Sequence, residues 1–246
     1  MGRFTGKRVL ITGGTRGIGL AGALRVIREG GQAIVTGRNV DRVLTAKAGL
    51  PSVLQVVRND ASDCSTGQAL AEAVSAHGKL DGVWFNAGFA RLNTLEQTDA
   101  TTFDEMMSAN VRGPMLQLAA LMPLFNPGAS VVVTSSSSAY EGAAQTSIYA
   151  ATKAALLGLV RCWATELGPK NIRVNAIIPG PIQTPFRDFL PAAQRAEFEA
   201  GVVNQLALDC MGTPEQAAAV ALFLLSDEAA FVTGSEYSVD GGLLLR

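Results

Sequence analysis

Short apolar runs alternate with longer stretches of mixed polarity along this chain. Seven runs read as strands: RVLIT (8–12), QAIVT (32–36), VLQVV (53–57), DGVWF (81–85), SVVVT (130–134), RVNAII (173–178) and EYSVD (236–240). Between them, apolar positions recur at helical spacing over about 17–29, 40–47, 66–77, 99–125, 148–168 and 214–225. The strands are apolar almost throughout, with little alternation. That pattern predicts a parallel sheet buried on both faces. Strand–helix alternation predicts an α/β protein: a doubly wound sheet of about seven strands, mostly or wholly parallel, with helices on both faces. One stretch, about 185–212, breaks the rhythm. It carries Pro185, Phe186, Phe189, Leu190, Pro191 and Phe198 and predicts a short helical excursion, of the kind that lids a site. The chain, 1–246, therefore reads as a single domain with one insertion.

Composition narrows the function classes. Hydrophobic residues make up 48% and charged residues 17%, as in a compact globular protein. Lysine plus arginine is 20 and aspartate plus glutamate is 21, which offers no basic field to a nucleic acid. Cys64, Cys162 and Cys210 are far apart and odd in number, as reduced thiols are in a cytoplasmic protein. His77 is the single histidine, so no metal site is expected. The N-terminus enters a strand pattern directly, and no apolar run is long enough to span a bilayer.

The candidate chemistry begins in TGGTRGIG (12–19), between the first strand and the first helix. Gly13 suits a tight turn, and Gly17 and Gly19 suit close approach of backbone to a pyrophosphate at a helix N-terminus. Thr15, Arg16 and Ile18 lie in the same loop. The spacing, G-x-x-x-G-x-G, resembles the fingerprint of the short-chain dehydrogenase/reductase family, and later motifs extend the resemblance along nearly the whole chain outside 185–212. The resemblance implies a Rossmann-type fold and a nicotinamide cofactor.

An acid at the end of the second strand would accept the ribose hydroxyls of NAD and repel a 2′-phosphate. Here that strand ends in Gly37, Arg38 and Asn39, and Arg16 waits in the glycine turn. Two guanidinium groups suit a phosphate, so NADP(H) is expected and NAD(H) is the weaker alternative. Asp41, the nearest acid, is expected in the first turn of the next helix. By resemblance, Asp60 meets the adenine amino group with the Ala61 backbone beside it. Without the resemblance Asp60 reads as a cap or turn residue. FNAG (85–88) matches the family at Asn86, Ala87 and Gly88. Phe85 departs from an asparagine thought to brace the sheet, which puts local packing there in question.

YAATK (149–153) places a phenol and an ammonium four positions apart, on one face of a helix. A nearby cation lowers a phenol's pKa, so Tyr149 with Lys153 can act as a general acid or base. An arbitrary pair at this spacing is usually an exposed helix face; the surrounding motifs change that. The family places a serine thirteen positions before the tyrosine, which is Ser136, and Gly142 agrees with that register. Ser136 is expected to hydrogen-bond the substrate oxygen. Ser135, Ser137 and Ser138 read as turn residues. The resemblance also implies that Lys153 contacts the nicotinamide ribose and that Asn110 holds a water serving as a proton relay to that lysine. In PGPIQT (179–184), Pro179 fixes the backbone and Gly180 allows close approach, and the resemblance implies that the Ile182 backbone binds the nicotinamide carboxamide with the Thr184 hydroxyl assisting, for pro-S hydride transfer.

The expected activity is an NADP(H)-dependent carbonyl reductase or alcohol dehydrogenase acting on a small carbonyl or alcohol substrate. The alternative is a non-catalytic NADP(H)-binding regulatory protein on the same fold. A sugar-nucleotide epimerase would need an extra C-terminal substrate domain. The pocket, from Phe89, Ala90, Ala143, Ala144, Phe186 and Phe189, reads as apolar, suited to a 3-oxoacyl thioester, a cyclic or aryl ketone, or a steroid or terpenoid. Arg91 and Arg187 are expected to be exposed. Leu156, Leu157, Leu159, Val160, Trp163 and Leu167 exceed one narrow stripe, and three leucines close the chain; both features predict a homotetramer.

Overall fold

The computed structural model describes residues 2–39, 51 and 53–245. Seven strands form one sheet: β1 (Arg8–Ile11), β2 (Gln32–Gly37), β3 (Leu54–Arg58), β4 (Leu80–Phe85), β5 (Phe125–Thr134), β6 (Arg173–Pro179) and β7 (Glu236–Val239). Their order is β3-β2-β1-β4-β5-β6-β7, and every pairing is parallel. This is the Rossmann-type arrangement expected. The order reverses between β1 and β4, which opens a crevice beyond their carboxyl ends.

The helices are α1 (Gly17–Arg28), α2 (Thr66–Ser75), α3 (Ala100–Met107), α4 (Gly113–Leu121), α5 (Ser138–Glu141), α6 (Ser147–Leu167), α7 (Ala192–Val203) and α8 (Pro214–Leu225). The sheet residues divide between two faces. Leu10, Val83, Phe85, Val131 and Val133 pack with α2, α4 and α6 through Leu70, Leu118 and Leu156. Val9, Ile11, Trp84 and Val132 pack with α1 and α8 through Val26 and Leu222. Phe85 packs into the first of these clusters, 2% exposed, so a buried aromatic stands where the resemblance leads one to expect an asparagine.

Two expectations change. The single helix over 99–125 is broken by a π-helical turn at Ser108–Arg112 and ends in a 3-10 turn at Met122–Leu124. β5 starts at Phe125, five residues before the apolar run, because Phe125 pairs with Leu80 ahead of a register shift at Gly82. The excursion at 185–212 holds a 3-10 turn (Pro185–Arg187) and α7. The helix expected over 40–47, with Asp41, lies outside the described residues.

Candidate active site

The loops after β1 through β6 enclose a cavity of about 390 Å³ at the carboxyl ends of the strands. Gly13, Thr15, Arg16, Gly17 and Ile18 line it after β1, and Arg38 and Asn39 after β2. Asp60 and Ala61 follow β3; Asn86, Ala87 and Gly88 follow β4. Ser136, Tyr149 and Lys153 form the wall beyond β5, and Pro179, Gly180, Ile182 and Thr184 the wall beyond β6. Of the pocket-wall residues read from sequence, Phe89, Ala90, Ala143, Phe186 and Phe189 are on the wall, and Ala144 is not.

Two expected site residues are not on the wall. Gly19 is buried in α1, and a side chain there would come within 2.7 Å of Asn86 Nδ2 and of the Gly13 carbonyl. Its smallness serves packing of helix against loop. Asn110 is wholly buried. Its Oδ1 accepts from the Phe89 N–H (3.1 Å), while Nδ2 donates to the Phe89 carbonyl (2.9 Å) and Thr152 Oγ1 (3.1 Å). The π turn delivers this amide to the loop after β4 and to α6, where its side chain ties both.

The glycine turn fits an anion. Gly13 and Gly17 have φ of 65° and 56°, which favour glycine. Arg16 at the N-cap of α1 makes no side-chain cap, the first turn holds no acid, and Gly17 and Ile18 of that turn line the cavity. Arg38 stands 5.7 Å over the Phe89 ring, and Arg16 lies 3.9 Å from Asp188 in a loose, exposed pair. At the other end of this region Asp60 Oδ1 accepts from the Ser62 N–H (2.9 Å) and hydroxyl (2.8 Å), the turn role read from sequence. Beside it Gln117 donates to Asn59 Oδ1 (2.8 Å) and Thr66 Oγ1 (3.0 Å), leaving its buried Oε1 without a partner among the described residues. The donors, the helix terminus and the two guanidinium groups fit a dinucleotide carrying phosphates.

The catalytic candidates are fixed by contacts that the motif pattern does not show. Asn86 braces the sheet: its N–H donates to Thr12 Oγ1 (3.0 Å), and its Oδ1 accepts from Thr134 Oγ1 (3.3 Å). Ser135 Oγ donates to the Lys153 carbonyl (2.9 Å), clamping β5 to α6. Lys153 Nζ donates to the Thr134 carbonyl (2.9 Å) and sits 5.5 Å from the Tyr149 ring centroid. Ser136 Oγ accepts from the Ser138 N–H (3.2 Å) at the start of α5. Sequence reading treated Ser135 and Thr134 as turn or strand residues. Their roles depend on which helix crosses the end of β5.

The electrostatics differ from the expectation. Burial pushes the Tyr149 phenol up to about 12; Ser136 and Arg187 pull it down, and Glu141 pushes it further up. Burial alone brings Lys153 down to about 8. The lysine lies against the ring, and desolvation of the phenolate outweighs its neighbours. Arg187, expected to be exposed, has a side chain only 15% accessible and lines the cavity with Tyr149 and Phe186. The Phe186 ring is 5.9 Å from that of Tyr149. The reason is the insertion: α7 folds over Arg187 and places Phe198 beneath its guanidinium at 5.0 Å.

Residues 13–244 match the enoyl-(acyl carrier protein) reductase family model. An oxidoreductase of Sarocladium schorii is 37% identical, over 98% of this chain and 97% of its own. A 3-oxoacyl-acyl-carrier-protein reductase of Thermotoga maritima is 34% identical over 99% of this chain and all of its own (100%). The crystal structure of levodione reductase superposes with a TM-score of 0.90 at 31% identity, covering 98% of this chain and 99% of that one.

Proposed function

The chain belongs to the short-chain dehydrogenase/reductase family, and from that premise we propose that it transfers hydride between NADP(H) and a ketone or secondary alcohol. The observation that carries this reading is the meeting of Tyr149, Lys153 and Ser136 on one wall of a cavity whose other wall is an anion-ready glycine turn. The bound nicotinamide supplies the hydride in one direction and accepts it in the other. Tyr149 gives its proton to the carbonyl oxygen in reduction. A phenol held at about 12 keeps that proton throughout the neutral range, which suits the reducing direction. The Ser136 hydroxyl donates to the same oxygen as charge develops on it. Lys153 holds its ammonium under the Tyr149 ring and reaches toward the ribose. Asn110 keeps Phe89 and Thr152 in place around that lysine. The reading is tested by following NADPH oxidation with a panel of ketones; binding of NADPH with no turnover of any of them would favour the regulatory alternative.

Preference for the phosphorylated cofactor rests on Arg16 and Arg38 at the cavity wall, with no acid on the described end of β2. Arg38→Asp removes one guanidinium and adds repulsion. NADPH affinity should fall relative to NADH by about 1.4 kcal/mol or more, a factor of ten. Equal affinity of the wild-type protein for NADH and NADPH, measured by fluorescence titration, would refute the preference.

We also propose a homotetramer, on narrower grounds than the sequence offered. Leu156, Leu157, Val160, Trp163 and Leu167 are buried within their own chain, and Leu243 packs on Val202 and Leu206. The apolar residues left exposed include Phe103, Met115, Phe231 and Leu245, at 44%, 51%, 105% and 83%. Light scattering should give four times the 25.6 kDa chain mass. A mass near one chain at micromolar concentration would remove the proposal.

A further inference from the structure

Arg187 is a half-buried guanidinium in the substrate end of the cavity with most of its hydrogen-bonding capacity unspent. A guanidinium carries five N–H donors in a fixed fork. Among the described residues Arg187 makes one hydrogen bond, from Nη1 to the Ile182 carbonyl at 3.4 Å. The same nitrogen is 3.9 Å from Glu199 Oε1, too far for a hydrogen bond. Phe198 covers one face of the plane at 5.0 Å and so fixes its orientation. The backbone that accepts its bond, Ile182, belongs to the loop proposed to hold the nicotinamide. The fork is therefore anchored between that loop and α7, beside Tyr149 on the cavity wall. A ligand that displaces water from this end must offer an acceptor to the remaining donors, or leave a cation desolvated.

Charge decides the kind of acceptor. Glu199 stands 3.9 Å from Arg187 and Glu141 lines the same cavity, so two carboxylates already face this cation. A carboxylate ligand would face two like charges for one cation. A neutral carbonyl or ester oxygen needs only the donors and meets no such opposition. We infer that Arg187 binds the second oxygen of a neutral dicarbonyl substrate, a ketone carrying an ester, thioester or further ketone group near the reacting carbonyl. This rests on the hydride-transfer reading above and names the substrate class for the same site. The aromatic wall from Phe186 and Phe189 then takes the substrate's apolar body. Arg187 and Tyr149 line the same cavity, and Phe186, next to Arg187 in the chain, lies 5.9 Å from the Tyr149 ring, so the second oxygen falls in the neighbourhood of the reacting one.

The experiment compares ethyl 3-oxobutanoate with 2-heptanone, a chain of matched length lacking the ester oxygens, and with 3-oxobutanoate. The intrinsic reactivities of these ketones differ, so the reading is the ratio of kcat/KM values and its change on mutation. Arg187→Met should lower the ratio of keto ester to 2-heptanone about tenfold or more, as loss of a charged hydrogen-bond donor does. Arg187→Lys should restore part of it. A merely structural role would lower both substrates together and leave the ratio unchanged, which overturns the inference. A larger Arg187 dependence for 3-oxobutanoate than for its ester also overturns it, in favour of an anion site. If the wild-type enzyme reduces none of the three, the hydride-transfer reading fails on its own. Calorimetric binding of the same compounds to the protein with NADP+ then decides the inference: tighter binding of the keto ester that Arg187→Met abolishes supports it, and any other result overturns it.

Discussion

Tyr149→Phe should lower ketone reduction about a hundredfold or more and leave NADPH binding nearly unchanged. The substitution keeps the ring and removes the one proton the site has ready for a developing alkoxide. The ring is buried against Phe186 and lies 5.5 Å from Lys153 Nζ, so the cavity wall keeps its shape. Buried and held up to about 12, the wild-type phenol is protonated at any pH where the assay is run near neutrality. The pH profile for reduction should accordingly show no acidic or neutral limb from Tyr149, and the loss on mutation should be the same at pH 6 and pH 8. Steady-state kinetics with NADPH and a ketone read the effect, and fluorescence titration reads the cofactor. Wild-type turnover by the variant would remove Tyr149 from the chemistry.

The sheet and the loops at its carboxyl ends were legible because their signals are local. Apolar runs such as SVVVT need no partner to be recognised, and a glycine turn between strand and helix is visible in eight residues. What the sequence hid depends on contacts between distant segments. The π turn at Ser108–Arg112 lies inside a run whose apolar spacing continues on both sides, so the pattern reads straight through it. The resemblance singles out Asn110, but its bonds to Phe89 and Thr152 join segments 21 and 42 positions away. Gly19 carries the fingerprint spacing, and its neighbour is Asn86, on a different loop. Arg187 looked like a surface cation because nothing in PFRDF says that α7 returns over it. The tyrosine and lysine were found by their spacing; the direction of their pKa shifts was not, because burial sets both, and burial belongs to the fold.

Lys153 gives the last expected result, read from stability and independent of any substrate. The residue is 3% exposed, and although its ammonium has a hydrogen bond to the Thr134 carbonyl, burial brings it from 10.5 down to about 8. Below about pH 8 the lysine is protonated both folded and unfolded, and the native state bears the whole cost of a buried cation. Between about 8 and 10.5 the native chain has released the proton that the unfolded chain still binds, so unfolding takes up a proton and stability rises with pH. A shift from 10.5 to about 8 corresponds to about 3 kcal/mol across that window. Tyr149 works the other way, since a phenol raised from 10.0 to about 12 loses stability as pH rises, but only above about pH 10. Urea unfolding of the unliganded protein from pH 7 to 9.5 therefore isolates the lysine. Lys153→Met should be more stable than wild type at pH 7 by about 2–3 kcal/mol, and the difference should shrink toward pH 9.5. A constant difference across that range would mean that the lysine is not held desolvated. The same result bears on the site's chemistry, because a cation that costs this much to bury is kept where Tyr149 and the proposed ribose both lie within its reach.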